Sequence, residues 1–502
     1  MAIAITDDHQ ELGASVRGVL TSHKALQSAR ALLDADEEPR PSYWGEMAQL
    51  GWLGIHLPEA HGGSGAGLLE LVVVLDELGR QVAPGPFLPT VLASAVIAQC
   101  GTEAQQAAYL PGLADGSRTA ALGIGGTLTL SGGTLDGSAG VVLGGATADL
   151  LLLVAGDDVV IVESTAPGLT VQGGTNMDPT RRSATVEAAG VAVGDEAVLP
   201  GAAARARALA RTLGAAEAVG LMSICTELAT AYAKERVQFG RTIGTFQAIK
   251  HHCANMLVDA ELATAAVWDA ARAAHDSEDE FLLTSAMAAQ LTFEQAVHNA
   301  QLNIQVHGGI GFTWEHDAHL FLRRALVLNA LLGSPDDAED VTTVAGRGVT
   351  REVTLELPPE AEQLRAELRT EAQRLATLEG TAQRKALIET GLMVPHWPKP
   401  WGRDAGAVEQ LLIDEELKAA GVKVPGFGIT GWNIMTVNQY ATPDQVERWV
   451  ERTLMGELVW CQLFSEPDAG SDAAAVKTRG TRVDGGWVVN GQKVWTSGAQ
   501  YC

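Results

Sequence analysis

Three stretches of this 502-residue chain group residues that can do chemistry. The first is Ser465-Glu466-Pro467-Asp468-Ala469-Gly470-Ser471-Asp472, followed by Asn490-Gly491-Gln492-Lys493-Val494-Trp495-Thr496-Ser497-Gly498. Small and hydroxylated residues with glycine let backbone N–H groups approach a ligand closely. Donors placed in this way stabilise charge that arrives on a bound ring. The same letters also make ordinary surface turns. The second stretch is Glu235-Arg236-Val237-Gln238-Phe239-Gly240, with Gln247 further on. Arg offers a fork to phosphate and Phe a face for stacking. The alternative is a helix C-terminus with a favourable cation and a glycine stop. The third is Gln305-Val306-His307-Gly308-Gly309-Ile310-Gly311-Phe312-Thr313-Trp314-Glu315. Its glycines admit close approach, and a desolvated Glu315 could remove a proton. The alternative for Glu315 is a solvated carboxylate, or one paired beside Arg323 and Arg324. His307 reads as a packed or capping histidine rather than a catalyst.

These segments need elements to hold them, and hydrophobic periodicity supplies the outline. Residues 5–118 read as helices, with loops at Pro58 to Gly67 and Pro84 to Pro89. Within 119–200, glycine pairs separate short apolar runs such as Leu150 to Val154, which is strand-and-turn composition. Residues 202–275 and 279–332 return to Ala/Leu helical patterns. A linker is expected over 335–359, with Gly346, Gly348 and Pro358-Pro359. Helix resumes over 360–456 and strand composition over 457–502. The implied domains are 1–118, 119–200, 201–334, 360–456 and 457–502.

The order repeats because the sequence repeats. Gly51-Trp52-Leu53-Gly54-Ile55-His56-Leu57-Pro58 matches Gly391-Leu392-Met393-Val394-Pro395-His396-Trp397-Pro398. Asp76-Glu77-Leu78 matches Glu415-Glu416-Leu417, and Thr102-Glu103-Ala104-Gln105 matches Thr442-Pro443-Asp444-Gln445. So long a period is a domain duplication, not a solenoid.

Composition bounds the rest. The net charge of −26 argues against a nucleic-acid-binding surface. Five scattered cysteines without C-x-x-C indicate neither a zinc site nor a disulfide framework. Residues 1–12 are acidic and lack a signal-peptide apolar run, and no uncharged apolar stretch stands out as membrane-spanning. The expected setting is a reducing cytoplasm.

The paired Ser465 and Trp495 segments resemble the flavin-facing loops of acyl-CoA dehydrogenases, and the resemblance extends over nearly the whole chain. It implies an α+β, mainly α fold: an N-terminal helical domain, a central β domain and a C-terminal four-helix bundle, followed by a partial second copy. This is similar to the tandem, duplicated actinobacterial type. It implies FAD, with Phe464, Ser465, Ser471, Trp495 and Ser497 about the ring. Arg236, Gln238, Phe239, Gln305, Gly308 and Gly309 fall at its ADP end. The implied reaction takes an acyl-CoA thioester to the trans-2-enoyl product, with a carboxylate removing the α-proton and the flavin accepting the β-hydride. Electrons then pass to an electron-transfer flavoprotein. Glu315 falls where many members keep the base. Some keep it on the preceding helix, where this chain has Ala210. A dimer of tandem chains, bulky sterol-derived thioesters and β-oxidation are further implications. A non-catalytic scaffold, an acyl-CoA oxidase or a flavin monooxygenase on the same fold remain alternatives.

The first copy departs from the family. Opposite Ser465 to Asp472 stands Gly125 to Gly132, without the acidic and proline positions, and opposite Trp495 stands Val141 to Gly145, without an aromatic. The expectation is one FAD per chain, its ring on the second copy's loops and its ADP end on the first copy's helices. Glu315 is then vestigial. The end at Cys502 reads as a truncated second unit, with open strand edges, weak FAD binding and no turnover by itself.

Overall fold

Residues 5–334, 336–351 and 360–502 are described by the computed structural model, in two units, 5–351 and 360–502. The first unit opens with helices α1 (Asp7–Ser22), α2 (Ala25–Ala31), α3 (Trp44–Gln49), α4 (Leu68–Arg80), α5 (Phe87–Cys100) and α6 (Glu103–Ala114). Helix α6 starts on a capping box: Thr102 Oγ1 accepts from the Gln105 N–H, and the Gln105 side chain accepts from the Thr102 N–H. Helices α1 and α4 are tied by Arg17, whose Nε donates to Glu77 Oε2 at 3.0 Å.

Eight strands follow in two four-stranded sheets: β1 (Ala120–Gly123), β2 (Thr129–Ser131), β3 (Thr134–Val142), β4 (Leu150–Ala155), β5 (Asp158–Glu163), β6 (Leu169–Gly173), β7 (Ala184–Ala192) and β8 (Val198–Leu199). One sheet runs β1-β4-β5-β8, with β1 and β4 parallel; the other runs β2-β3-β7-β6, all antiparallel. Strand β4 is Leu-Leu-Leu-Leu-Val-Ala and buried throughout. Alternation of side chains explains the run. Leu151 and Leu153 enter the core between the sheets, while Leu150, Leu152 and Val154 enter the helical core.

Helix α7 (Ala203–Glu235) is long and apolar enough to cross a membrane, but 89% of its most apolar window is buried as the central helix of the fold. A two-strand hairpin, β9 (Val237–Gln238) and β10 (Arg241–Thr242), leads to α8 (Gln247–Ala273), α9 (Glu278–His307), α10 (Gly309–Phe312) and α11 (Ala318–Leu332). Helices α7, α8, α9 and α11 pack as the bundle. Part of the expected linker is ordered instead: Asp337–Gly346 forms α12, packed on α9. Three acidic residues in its first turn suit the helix dipole, Asp337 Oδ2 accepts from the Ser334 N–H at 2.9 Å, and Arg211 pairs with Asp337 at 2.7 Å. Residues 352–359 of that linker lie outside the described residues.

The second unit contains α13 (Glu360–Ala376), α14 (Gly380–Glu389), α15 (Ala407–Ala419), α16 (Ile429–Tyr440), α17 (Pro443–Leu454) and the hairpin β11 (Arg479–Val483) and β12 (Gly486–Asn490). Leu375, Leu387, Trp397, Leu412, Ile434, Val450 and Leu454 form its core. Both strands of the β11–β12 hairpin are exposed along their length.

Candidate functional site

At one end of the bundle, α7 stops at Glu235 and the chain turns through Phe239-Gly240 at the hairpin tip. Their φ values of +52° and +76° are the pair that a two-residue hairpin of the favoured twist requires. Glycine tolerates this; phenylalanine adopts it at a steric cost. Phe239 nevertheless is 92% exposed, with only an edge-to-face contact to Phe246 at 6.0 Å. Arg241 lies over the Phe246 ring at 4.1 Å. Arg236 and Gln238 are exposed beside it. Helix α9 ends at the same place, because Tyr232 of α7 stacks on His307 of α9 with ring centroids 4.5 Å apart. His307 is buried, its Nδ1 is 2.8 Å from the Asn303 carbonyl oxygen, and its ring also meets His316. Gln305, Gly308 and Gly309 lie exposed at this end, and a Cβ on either glycine would meet nothing within 4 Å. Gly308 is called for by its φ of +65°, whereas at Gly309 neither packing nor backbone conformation demands glycine and the approach for a ligand is open. A fork, an unclaimed aromatic face and bare backbone fit the phosphate and adenine of a dinucleotide.

In the second unit the two distant loop segments come together. The Val494 N–H donates to the Ser465 carbonyl at 2.9 Å, and Lys493 Nζ donates to the Phe464 carbonyl and to Glu466 Oε1, both at 2.8 Å. The buried Glu466 carboxylate also accepts from the N–H groups of Lys477 and Thr478, at 2.6 and 2.9 Å. Its bond from Lys493, with these backbone donors, holds the carboxyl down to about 2. Glu466 and Ala469 close the turn on each other through backbone bonds of 2.8 and 3.1 Å. On this frame stand Phe464, exposed, Ser465, half-buried, and Ser471 and Ser497, exposed. Trp495 has φ +58° and is 90% exposed. Among the described residues, two of the five non-glycine residues at positive φ are therefore Phe239 and Trp495, the aromatic residues singled out by their motifs. Sequence reading gave Glu466 and Lys493 no role, yet they join the two segments. The signal was an acid in one loop and a lysine in the other.

The first unit has a different surface at the matching place. A cleft of about 670 Å³ lies between its sheets and its bundle. Leu122, Leu143, Leu331 and Leu332 line it, with Gly125 and Gly126 at the sheet side and Arg207 and Arg211 on α7. Glu315 does not line it. That residue sits exposed in the turn between α10 and α11, where Trp314 stacks on His319 at 4.8 Å and Asp317 pairs with Arg30 at 2.6 Å. Neither neighbouring arginine serves Glu315. Arg323 donates to the Met177 carbonyl, and Arg324 is buried against Asp178 and Glu217. Ala210 is buried in α7.

That last cluster is a buried ionic network. Arg181 grips Glu217 through two bonds of 2.8 and 3.0 Å, while Arg324 bonds Glu217, Asp178 and Thr180. Burial by itself would raise the Glu217 carboxyl; the two arginines outweigh it and hold it below its ordinary value. The network joins α7, α11 and the loop before β7.

The sequence aligns with known models over this framework. The acyl-CoA dehydrogenase N-terminal domain matches twice, at residues 6–117 and 348–457; the C-terminal domain matches 202–336 and the middle domain 461–502. "Acyl-CoA dehydrogenase FadE34" of Mycobacterium tuberculosis is 39% identical, over 99% of this chain and 70% of that protein. The chain belongs to the acyl-CoA dehydrogenase family. "Acyl-CoA dehydrogenase IpdE2" of Mycolicibacterium smegmatis is 32% identical over 66% of this chain and 96% of its own. Among solved structures, a variant of the "Tcur3481-Tcur3483 steroid ACAD" matches with TM-score 0.62 at 30% identity, over 68% of this chain and 98% of that one. The ChsE4-ChsE5 complex from Mycobacterium tuberculosis matches in fold, with TM-score 0.64 at 24% identity, over 70% of this chain and 100% of that chain. The duplication seen in the sequence is thus a second acyl-CoA dehydrogenase N-terminal domain, and the middle-domain match falls on the Ser465 and Trp495 segments rather than on β1 to β8.

Proposed function

We propose that the chain is an FAD-dependent acyl-CoA dehydrogenase that converts an acyl-CoA thioester to its trans-2-enoyl product and passes electrons to an electron-transfer flavoprotein. Bound FAD would supply the acceptor for the two electrons taken from substrate. The observation that carries this reading is the join between the Ser465 and Trp495 loops through Lys493 and Glu466. In this reading Phe464, Ser465, Ser471, Trp495 and Ser497 face the ring. Arg236, Gln238, Phe239, Gln305, Gly308 and Gly309 hold the ADP end, with one FAD per chain. The steroid ACAD among its relatives supports a bulky, sterol-derived acyl group. The protein acts in the cytoplasm as a homo-oligomer of tandem chains.

In this proposal the α-proton passes to a carboxylate other than Glu315, which is exposed to solvent and does not line the cleft. The first unit acts as a scaffold, supported by the lack of acidic, proline and aromatic residues in its 125–132 and 141–145 segments. The test is anaerobic addition of sterol-derived and straight-chain acyl-CoAs to the full chain loaded with FAD. One flavin per chain is expected, and bleaching by a sterol-derived thioester in preference to a straight-chain one would support the sterol assignment. Two flavins per chain would overturn the division of labour. Bleaching that requires oxygen and releases peroxide would identify an oxidase, and failure to take up flavin would leave only the scaffold.

A further inference from the structure

The first unit carries a cleft lined by none of the residues proposed to hold FAD. Its volume of about 670 Å³ is in the range of small-molecule sites. Leu122, Leu143 and Leu332 lie almost fully buried beneath it and supply the apolar part of a mixed lining. On the sheet side Gly126 sits at φ +83° against the β3 backbone, where a Cβ would strike the Ser138 carbonyl oxygen at 2.1 Å. Arg207 and Arg211 are one helical turn apart on α7, so both present to the same face. Arg211 is committed to Asp337 and Asp340. Arg207 is exposed, lines the cleft and has no hydrogen-bond or ion-pair partner among the described residues. Of the two carboxylates at the rim, Asp340 shares Arg211 with Asp337, and Asp336 is exposed to solvent.

We propose that this cleft binds an amphipathic carboxylic acid, the apolar body over Leu122, Leu143 and Leu332 and the carboxylate on the free Arg207 guanidinium. A mixed lining with apolar side chains and one unclaimed planar fork at its mouth fits one carboxylate on a hydrocarbon better than a polyphosphate. The site is separate from the residues assigned above to FAD and does not depend on that assignment. A linear chain and a fused-ring body share this chemistry, and decanoate and cholate serve as the two probes.

The experiment is calorimetric titration of the full chain, loaded with FAD, with decanoate, cholate and the uncharged decanol. At least one acid is expected to bind, and decanol more weakly. Arg207→Gln should weaken the bound acid about tenfold or more, as loss of a charge-assisted bond does. Val141→Trp, placed at an exposed position on the cleft wall, should block binding while circular dichroism stays unchanged. No binding of either acid, equal binding by Arg207→Gln, or loss of FAD from that variant would each overturn the proposal. Binding of decanoate but not cholate assigns a linear acid; the reverse assigns a fused-ring one.

Discussion

The two N-terminal helical domains of this chain are built on the same few contacts, while the loops that follow them share almost none. In the first copy a buried Glu77 on α4 is held by Arg17 on α1; in the second a buried Glu416 on α15 is held by Arg369 on α13 through bonds of 2.9 and 3.0 Å, with Arg365 alongside. Gly51 and Gly391 turn the chain at φ +76° and +71°. Thr102 with Gln105, and Thr442 with Gln445, form capping boxes on α6 and α17. After these helices the copies part. One continues into Gly125 to Gly132 and an open cleft, the other into the Glu466–Lys493 frame. Packing contacts constrain both copies alike, because a buried carboxylate without its arginine is costly wherever it stands. The acidic, proline and aromatic positions of the Ser465 and Trp495 segments have no counterpart in residues 125–132 and 141–145 of the first copy.

The comparison can be broken most severely in the first unit. Glu217→Ala leaves two buried arginines without their carboxylate and should destabilise that unit by about 3–5 kcal/mol, read in denaturant titration. A loss below about 1 kcal/mol would show that the network contributes little. Glu466→Gln acts on the other copy. It should lower flavin content sharply while leaving the unfolding of the first unit unchanged; equal flavin content would refute the frame. The same contact predicts a pH dependence. The folded Glu466 carboxyl, at about 2, lies below its ordinary 4.5. Its stabilisation is therefore complete at neutral pH, starts to fall as pH drops past 4.5, and is lost as pH falls through about 2. Amide hydrogen exchange in residues 463–472 should rise over that acid window and not above it.

Smaller effects sharpen the picture. Phe239→Ala should weaken FAD binding by about 1–3 kcal/mol if the ring stacks on adenine, with stability changed by less than about 0.5 kcal/mol at so exposed a site. Unaltered affinity would remove Phe239 from the cofactor set. Thr102→Ala and Thr442→Ala should each cost about 1 kcal/mol of helix stability. A large inequality between them would show that the two capping boxes are equivalent in form only. Glu315→Gln should leave turnover unchanged, and a rate loss of several orders of magnitude would restore it as the base.

The family and the order of helix and sheet were legible because both rest on local pattern. Ser465 to Asp472 and Trp495 to Gly498 are short words with their chemistry on their surface, and the repeat needs only comparison of one segment with another. What escaped was set by distance along the chain. Arg324 meets Asp178 across 146 residues and Glu217 across 107, and nothing in the letters around an arginine distinguishes a buried one from a surface one. Glu466 and Lys493 stood in plain view, 27 residues apart, but their pairing depends on how two loops cross. Helix α12 was hidden by composition: Asp336, Gly346 and Gly348 read as a linker, whereas the ties to Arg211 and Ser334 order it. The exposure of Glu315 is likewise a matter of where a turn lies, not of which residue fills it.

Strand β4 faces the inter-sheet core on one side and the helical core on the other. The sheets of the first unit consequently cannot be cut away as a free-standing piece. A protease that nicked the loops around residues 174–176 and 200–202 would still leave Leu150, Leu152 and Val154 anchored among the helices. The fragments should stay together until the bundle itself melts, so sheet and bundle form one mechanical body with one thermal transition.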